Sequence, residues 1–81
     1  MNAHEQKLVA LGASAAANCR PCLEHHLGAA RAAEVSEADI AEAIEIGLGV
    51  NEGAGRQTRA FVGDLLGCAP AVGGAVKTAC C

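Results

Sequence analysis

The sequence contains no tryptophan and no tyrosine, and only one phenylalanine. No aromatic cluster is therefore available to fill a core or to stack on nucleic-acid bases. Proline occurs only at Pro21 and Pro70, so little interrupts helix formation over most of the chain. Positive charge is scarce as well: six basic residues face nine acidic ones, a net charge of −3, without a basic run. That balance excludes the electrostatic footprint of a nucleic-acid binder. No apolar run approaches the roughly 18 residues of a membrane-spanning helix. The first residues include His4, Glu5 and Lys7, not the basic-then-apolar order of an export signal. No membrane association is expected, and the expected location is the cytoplasm.

What is present is alanine. Hydrophobic residues make up 52% of the 81 positions, but much of that share is alanine, which favours helix and contributes little burial energy. A chain this short buries only roughly 60% of the surface it exposes when unfolded. A thin core of this kind is completed most simply by packing against further copies, so a homo-oligomer is expected.

The periodicity predicts an all-α fold of about four helices. Leu8, Leu11 and Ala15 recur at helical spacing between Ala3 and Ala17, giving a first helix. Asn18 is a candidate N-cap for a second helix from about Cys19 to about Ala33, with Pro21 tolerated in its first turn. Ser36 is the clearest start signal: Asp39 stands three residues on, and Val35 and Ile40 occupy the two ends of a hydrophobic staple. The third helix carries Ile40, Ala43, Ile44, Gly47 and Leu48 on one face, and is expected to end near Val50. The segment from Asn51 to Gly55 reads as a break or kink. A fourth helix would carry Phe61, Val62, Leu65 and Leu66, and be stopped by Gly67 and Pro70. Residues 1–66 thus read as one helical domain, and residues 67–81 as a flexible tail ending in Cys80 and Cys81.

Five cysteines in a chain without an export signal point to a reducing compartment, where a close pair is more often catalytic or metal-binding than a staple. Cys19, Cys22 and His26 stand at i, i+3 and i+7, on one side of the second helix. Two thiols at that spacing can close into a disulfide and pass two electrons. A sulfur at a helix N-terminus lies near the positive end of the helix dipole, which favours the thiolate, and Arg20 adds a positive charge close by. His26, one turn after Cys22, is placed to take and return a proton. His25 and Glu24 point elsewhere on that helix, and His4 reads as a solvated surface histidine.

The competing reading is a thiophilic metal or metalloid protein using Cys19, Cys22 and His26, with Cys80 and Cys81 as further ligands. A structural zinc site would bring a second ligand pair spaced like the first, and the sequence has none. The adjacent Cys80 and Cys81 are poor structural partners for each other. As thiols on an extended arm they suit capture of a soft ion, or shuttling of electrons to the Cys19/Cys22 pair; at about 3.3 Å per residue the arm spans ~45 Å. Cys68 reads as a small packed residue.

With Cys19-Arg20-Pro21-Cys22 and His26 in view, the stretch from about Leu8 to Phe61 resembles the alkylhydroperoxidase D and carboxymuconolactone decarboxylase family. The likeness is to its redox branch, in the cysteine pair, the histidine four residues later, the alanine-rich helix before and the acidic amphipathic helix after. It implies an all-helical bundle that assembles into trimers or hexamers. It also implies peroxidase or disulfide-reductase chemistry in which Cys22 attacks, Cys19 resolves and His26 relays protons, with a thiol electron donor and no cofactor. Two positions depart from the pattern. Lys7 stands where peroxidase members carry a glutamate twelve residues before the first cysteine, and Pro21 stands where full-relay members carry a histidine. Both weigh against hydroperoxide turnover and leave thiol–disulfide exchange untouched. The decarboxylase branch needs no cysteine pair, and a chain this short has little room for its substrate.

Overall fold

The computed structural model describes residues 1–67, which form three helices: α1 (Ala3–Ala16), α2 (Arg20–Ala32) and α3 (Glu37–Leu66). The expectations for Cys68, Pro70, Cys80, Cys81 and the tail fall outside the described residues.

Each helix begins on a side-chain cap. Asn2 accepts the Glu5 N–H at 2.8 Å while Glu5 accepts the Asn2 N–H at 2.8 Å, a reciprocal capping box that satisfies two otherwise unpaired donors. Ser36 accepts the Asp39 N–H at 3.1 Å, and the flanking Val35 and Ile40 both enter the core, so the staple forms as its sequence signature indicates. The cap of α2 is Cys19, not Asn18.

Asn18 instead adopts the left-handed conformation, with φ 55°, and terminates α1. The Cys19 N–H reaches back to Ser14 O at 3.0 Å, the six-to-one bond of a Schellman ending. Glu34, with φ 62°, plays the same part after α2, and the Val35 N–H donates to Ala30 O at 3.0 Å. Asparagine tolerates this conformation better than most residues, so its type suits a helix end as well as a helix start.

The core is small, as the alanine content implies. Leu11, Ala30, Val35 and Ile40 are buried, with Leu8, Leu23, Leu27, Ala33, Ala43 and Ile44 packed around them. α1 and α3 approach closely at two glycines. A Cβ on Gly47 would collide with the backbone of Gly12, and one on Gly12 would stand 3.1 Å from Ala43 O. Only hydrogen fits between the two backbones there.

The expected break at Asn51 to Gly55, and with it the separate fourth helix, does not occur: α3 runs unbroken for 30 residues. At 1.5 Å per residue it is about 45 Å long. Asn51 does not turn its side chain onto its own backbone, which is how asparagine usually interrupts a helix; its amide donates to Ala16 O at 2.9 Å, closing the end of α1. Gly53 and Gly55 each cost about 1 kcal/mol relative to alanine, but no proline is present to forbid the helical hydrogen bonds. Termination comes at Gly67, in the left-handed conformation with φ 74°.

His4 is not merely solvated. Its Nε2 lies 2.9 Å from Ala33 O and ties the start of α1 to the end of α2. On the surface, Arg31 Nε and Nη2 donate to both carboxylate oxygens of Glu37, at 2.7 and 3.2 Å, joining α2 to α3 across the loop. No helix among the described residues is long and apolar enough to cross a membrane.

Candidate functional site

The turn that ends α1 also presents the cysteine pair. The Schellman bond to Ser14 O fixes the backbone of Cys19, which leaves the turn extended, with φ −98° and ψ 96°, and caps α2. Arg20 and Pro21 follow as the first two helical residues, and Cys22 is the third. A proline in this turn gives up an N–H that would have had no intrahelical partner. Cys19 and Cys22 are joined by a disulfide, their Cα atoms 5.2 Å apart.

The Cys22 N–H donates to Cys19 Sγ at 3.3 Å. This is the place a serine or aspartate oxygen takes at an ordinary N-cap. When the bond is reduced, a thiolate at that atom keeps the same donor and faces the positive end of the α2 dipole. Both cysteines are half-buried, within reach of a small partner.

His26 is half-buried one turn beyond Cys22, while Glu24 and His25 are exposed, in keeping with their different direction on the helix. The His25 and His26 rings meet edge to face, with centroids 5.0 Å apart. Lys7 is half-buried on α1. The Ser14–Cys19 and His4–Ala33 contacts tie the two ends of the antiparallel α1 and α2.

Among the described residues, no group of three His, Cys, Asp or Glu side chains is gathered to hold a metal ion. A hollow of about 410 Å³ lies between α1 and α3, lined by Leu8, Val9, Gly12, Ala43 and Ile46 with Asp39 and Glu42. It includes no residue of α2 and is separate from the cysteine pair.

Sequence reasoning found the pair and its place on α2, but missed His4 and Asn51 as tertiary contacts. Neither has a local signal, because their acceptors lie 29 and 35 residues away.

No curated protein and no solved structure matches the chain. The model of the carboxymuconolactone decarboxylase family matches residues 1–61, a span that includes all of α1 and α2, the cysteine pair and most of α3. With three capped helices and a match over three quarters of its length, the chain belongs to the carboxymuconolactone decarboxylase family.

Proposed function

We propose that the protein is a thiol-based oxidoreductase that cycles Cys19 and Cys22 between dithiol and disulfide, with His26 as proton relay. The observation that carries this reading is the disulfide at the first turn of α2, in which Cys19 Sγ also accepts the Cys22 N–H. One sulfur is thereby stabilised as a thiolate, and the other is left to meet the substrate.

In the oxidative half, the Cys22 thiolate attacks the terminal oxygen of a hydroperoxide. The O–O bond breaks, His26 supplies the proton that releases the alcohol, and Cys22 becomes a sulfenic acid. The Cys19 thiolate then attacks the Cys22 sulfur, water leaves, and the disulfide forms; the two thiols have given two electrons. In the reductive half, a donor thiolate attacks Cys22 Sγ and the Cys19 thiolate departs. A second donor thiol then releases Cys22. A disulfide substrate runs the same exchange in reverse and needs no oxygen chemistry, which suits a chain with Lys7 and Pro21 at the two departing positions.

The reading goes with a reducing compartment, the cytoplasm, which supplies thiol donors, and with assembly into trimers or hexamers. Capture of a thiophilic metal has no specific observation in its favour among the described residues.

The test is to mix fully reduced protein with one equivalent of an organic hydroperoxide, or of 2-hydroxyethyl disulfide, quench rapidly, and weigh the Cys19/Cys22 peptide. Loss of two hydrogens within seconds with either oxidant, abolished in Cys22→Ser, is the expected result. A dithiol that stays open with both for minutes overturns the proposal.

A further inference from the structure

The last turn of α1 leaves four backbone carbonyls without a partner inside the helix, and each of them finds one. Ala13 O accepts the Ala17 N–H at 3.0 Å, Ser14 O the Cys19 N–H at 3.0 Å, and Ala15 O the Asn18 N–H at 3.2 Å. The fourth, Ala16 O, is met from another helix, by the amide of the half-buried Asn51 in the middle of α3. Two residues separate Ala16 from Cys19. One of them, Asn18, is held at φ 55°, a conformation that a residue other than glycine keeps only when its surroundings hold it there.

We infer that Asn51 is a positioning residue for the redox pair: by anchoring the Ala16 carbonyl it holds the turn that presents Cys19, and it matters most when the disulfide is open. The inference rests on the dithiol–disulfide reading above. In the oxidised protein Cys19 is tied covalently to Cys22, so α2 holds it whether or not the turn from α1 is firm. On reduction two electrons and two protons enter, the S–S bond breaks, and that tie is gone. Cys19 Sγ then stays over the first turn of α2 through the Cys22 N–H and through the backbone that leads to it. That backbone is fixed at Ser14 O by the Cys19 N–H and at Ala16 O by Asn51.

Removal of the amide leaves the Ala16 carbonyl to seek water. The turn opens, Asn18 leaves the left-handed region, and the Cys19 N–H is released. The sulfur then moves off the N-terminus of α2, and the reduced state loses the donor and the dipole that stabilise its thiolate. The same thiolate departs when a donor thiol opens the disulfide, so reduction becomes both slower and less favourable.

The experiment equilibrates the full chain with buffers of reduced and oxidised glutathione, quenches with acid, alkylates, and scores the Cys19/Cys22 peptide as dithiol or disulfide by mass. Asn51→Ala is expected to shift the equilibrium roughly fivefold toward the disulfide, and to slow opening by dithiothreitol by a similar factor. Asn51→Asp keeps the shape without the donor and is expected to do the same, while Asn51→Gln keeps the amide and should recover most of both. Ile40→Val thins the core near the start of α3 and should lower thermal stability with the equilibrium unmoved. An equilibrium that stays in place in Asn51→Ala and Asn51→Asp, or that moves as far in Ile40→Val, overturns the inference and leaves the dithiol–disulfide reading standing. Loss of helix content in both donor-less variants, oxidised and reduced alike, overturns it as well, because a bond that serves the fold alone behaves in that way. A parent whose disulfide glutathione cannot open overturns both.

Discussion

The side-chain amide of Asn51, halfway along α3, donates to the carbonyl oxygen of Ala16, the last residue of α1, at 2.9 Å. One hydrogen bond from the middle of the unbroken α3 closes the C-terminus of a helix 35 residues away in sequence. Asn51→Ala is expected to lower stability by about 1–2 kcal/mol, read as a reduced urea midpoint at unchanged slope.

The two glycines at the α1–α3 crossing separate packing from propensity. Gly47→Ala puts a methyl into the Gly12 backbone and should cost about 2–3 kcal/mol. Gly49→Ala meets nothing within 4 Å and should stabilise by about 0.5–1 kcal/mol, through helix propensity alone. Thermal unfolding of the two variants side by side checks both signs; equal shifts would refute the close approach.

Cys19 both caps α2 and closes the disulfide, and the two roles respond differently to substitution. Under reducing conditions Cys19→Ser retains an acceptor for the Cys22 N–H, and its stability should stay close to that of the reduced parent. Cys19→Ala loses the acceptor and should be less stable than the serine variant by about 1 kcal/mol. Neither variant should form the disulfide to Cys22.

If His26 moves the proton, His26→Ala should slow disulfide closure by about 100-fold, and added imidazole should recover part of the rate. A variant equally slow with and without imidazole would assign His26 a structural part instead.

Arg31 and Glu37 give a pH test. The hydrogen bond from the Arg31 guanidinium, aided by its charge, holds the Glu37 carboxyl below its ordinary pKa. A lowered folded-state value means that the pair's stabilisation is present above the ordinary carboxylate pKa and is lost as pH falls through the lowered one. The difference between the parent and Glu37→Gln should therefore be small at neutral pH, shrink further in acid, and fall with added salt, since both side chains are exposed. Chemical denaturation at pH 7 and pH 3 reads it.

Much of this was legible in the residues. Ser36, Asp39, Val35 and Ile40 form a start signal within six consecutive positions, and the structure follows it. The Cys19, Cys22 and His26 spacing led to α2 and its first turn, because that signal is also local. Asn18 was ambiguous: asparagine suits both a helix start and a left-handed helix end, and the bond from Cys19 N–H to Ser14 O selects the end. The continuity of α3 was hidden. Asn51, Gly53 and Gly55 carry breaker composition, and what overrides it is an acceptor on another helix that no local window contains. The exposed Phe61 and Leu65 looked like a separate helix for the same reason.

That a single sulfur both starts α2 and closes the disulfide has a thermodynamic corollary. The free energy of ordering the first turn and the free energy of opening the disulfide are linked functions, coupled by whatever favours the turn more in one redox state than in the other. A neighbour that holds the turn from Asn18 to Cys22 more firmly in one redox state shifts the midpoint potential of the pair, and reduction in turn changes by the same free energy how firmly that neighbour is held.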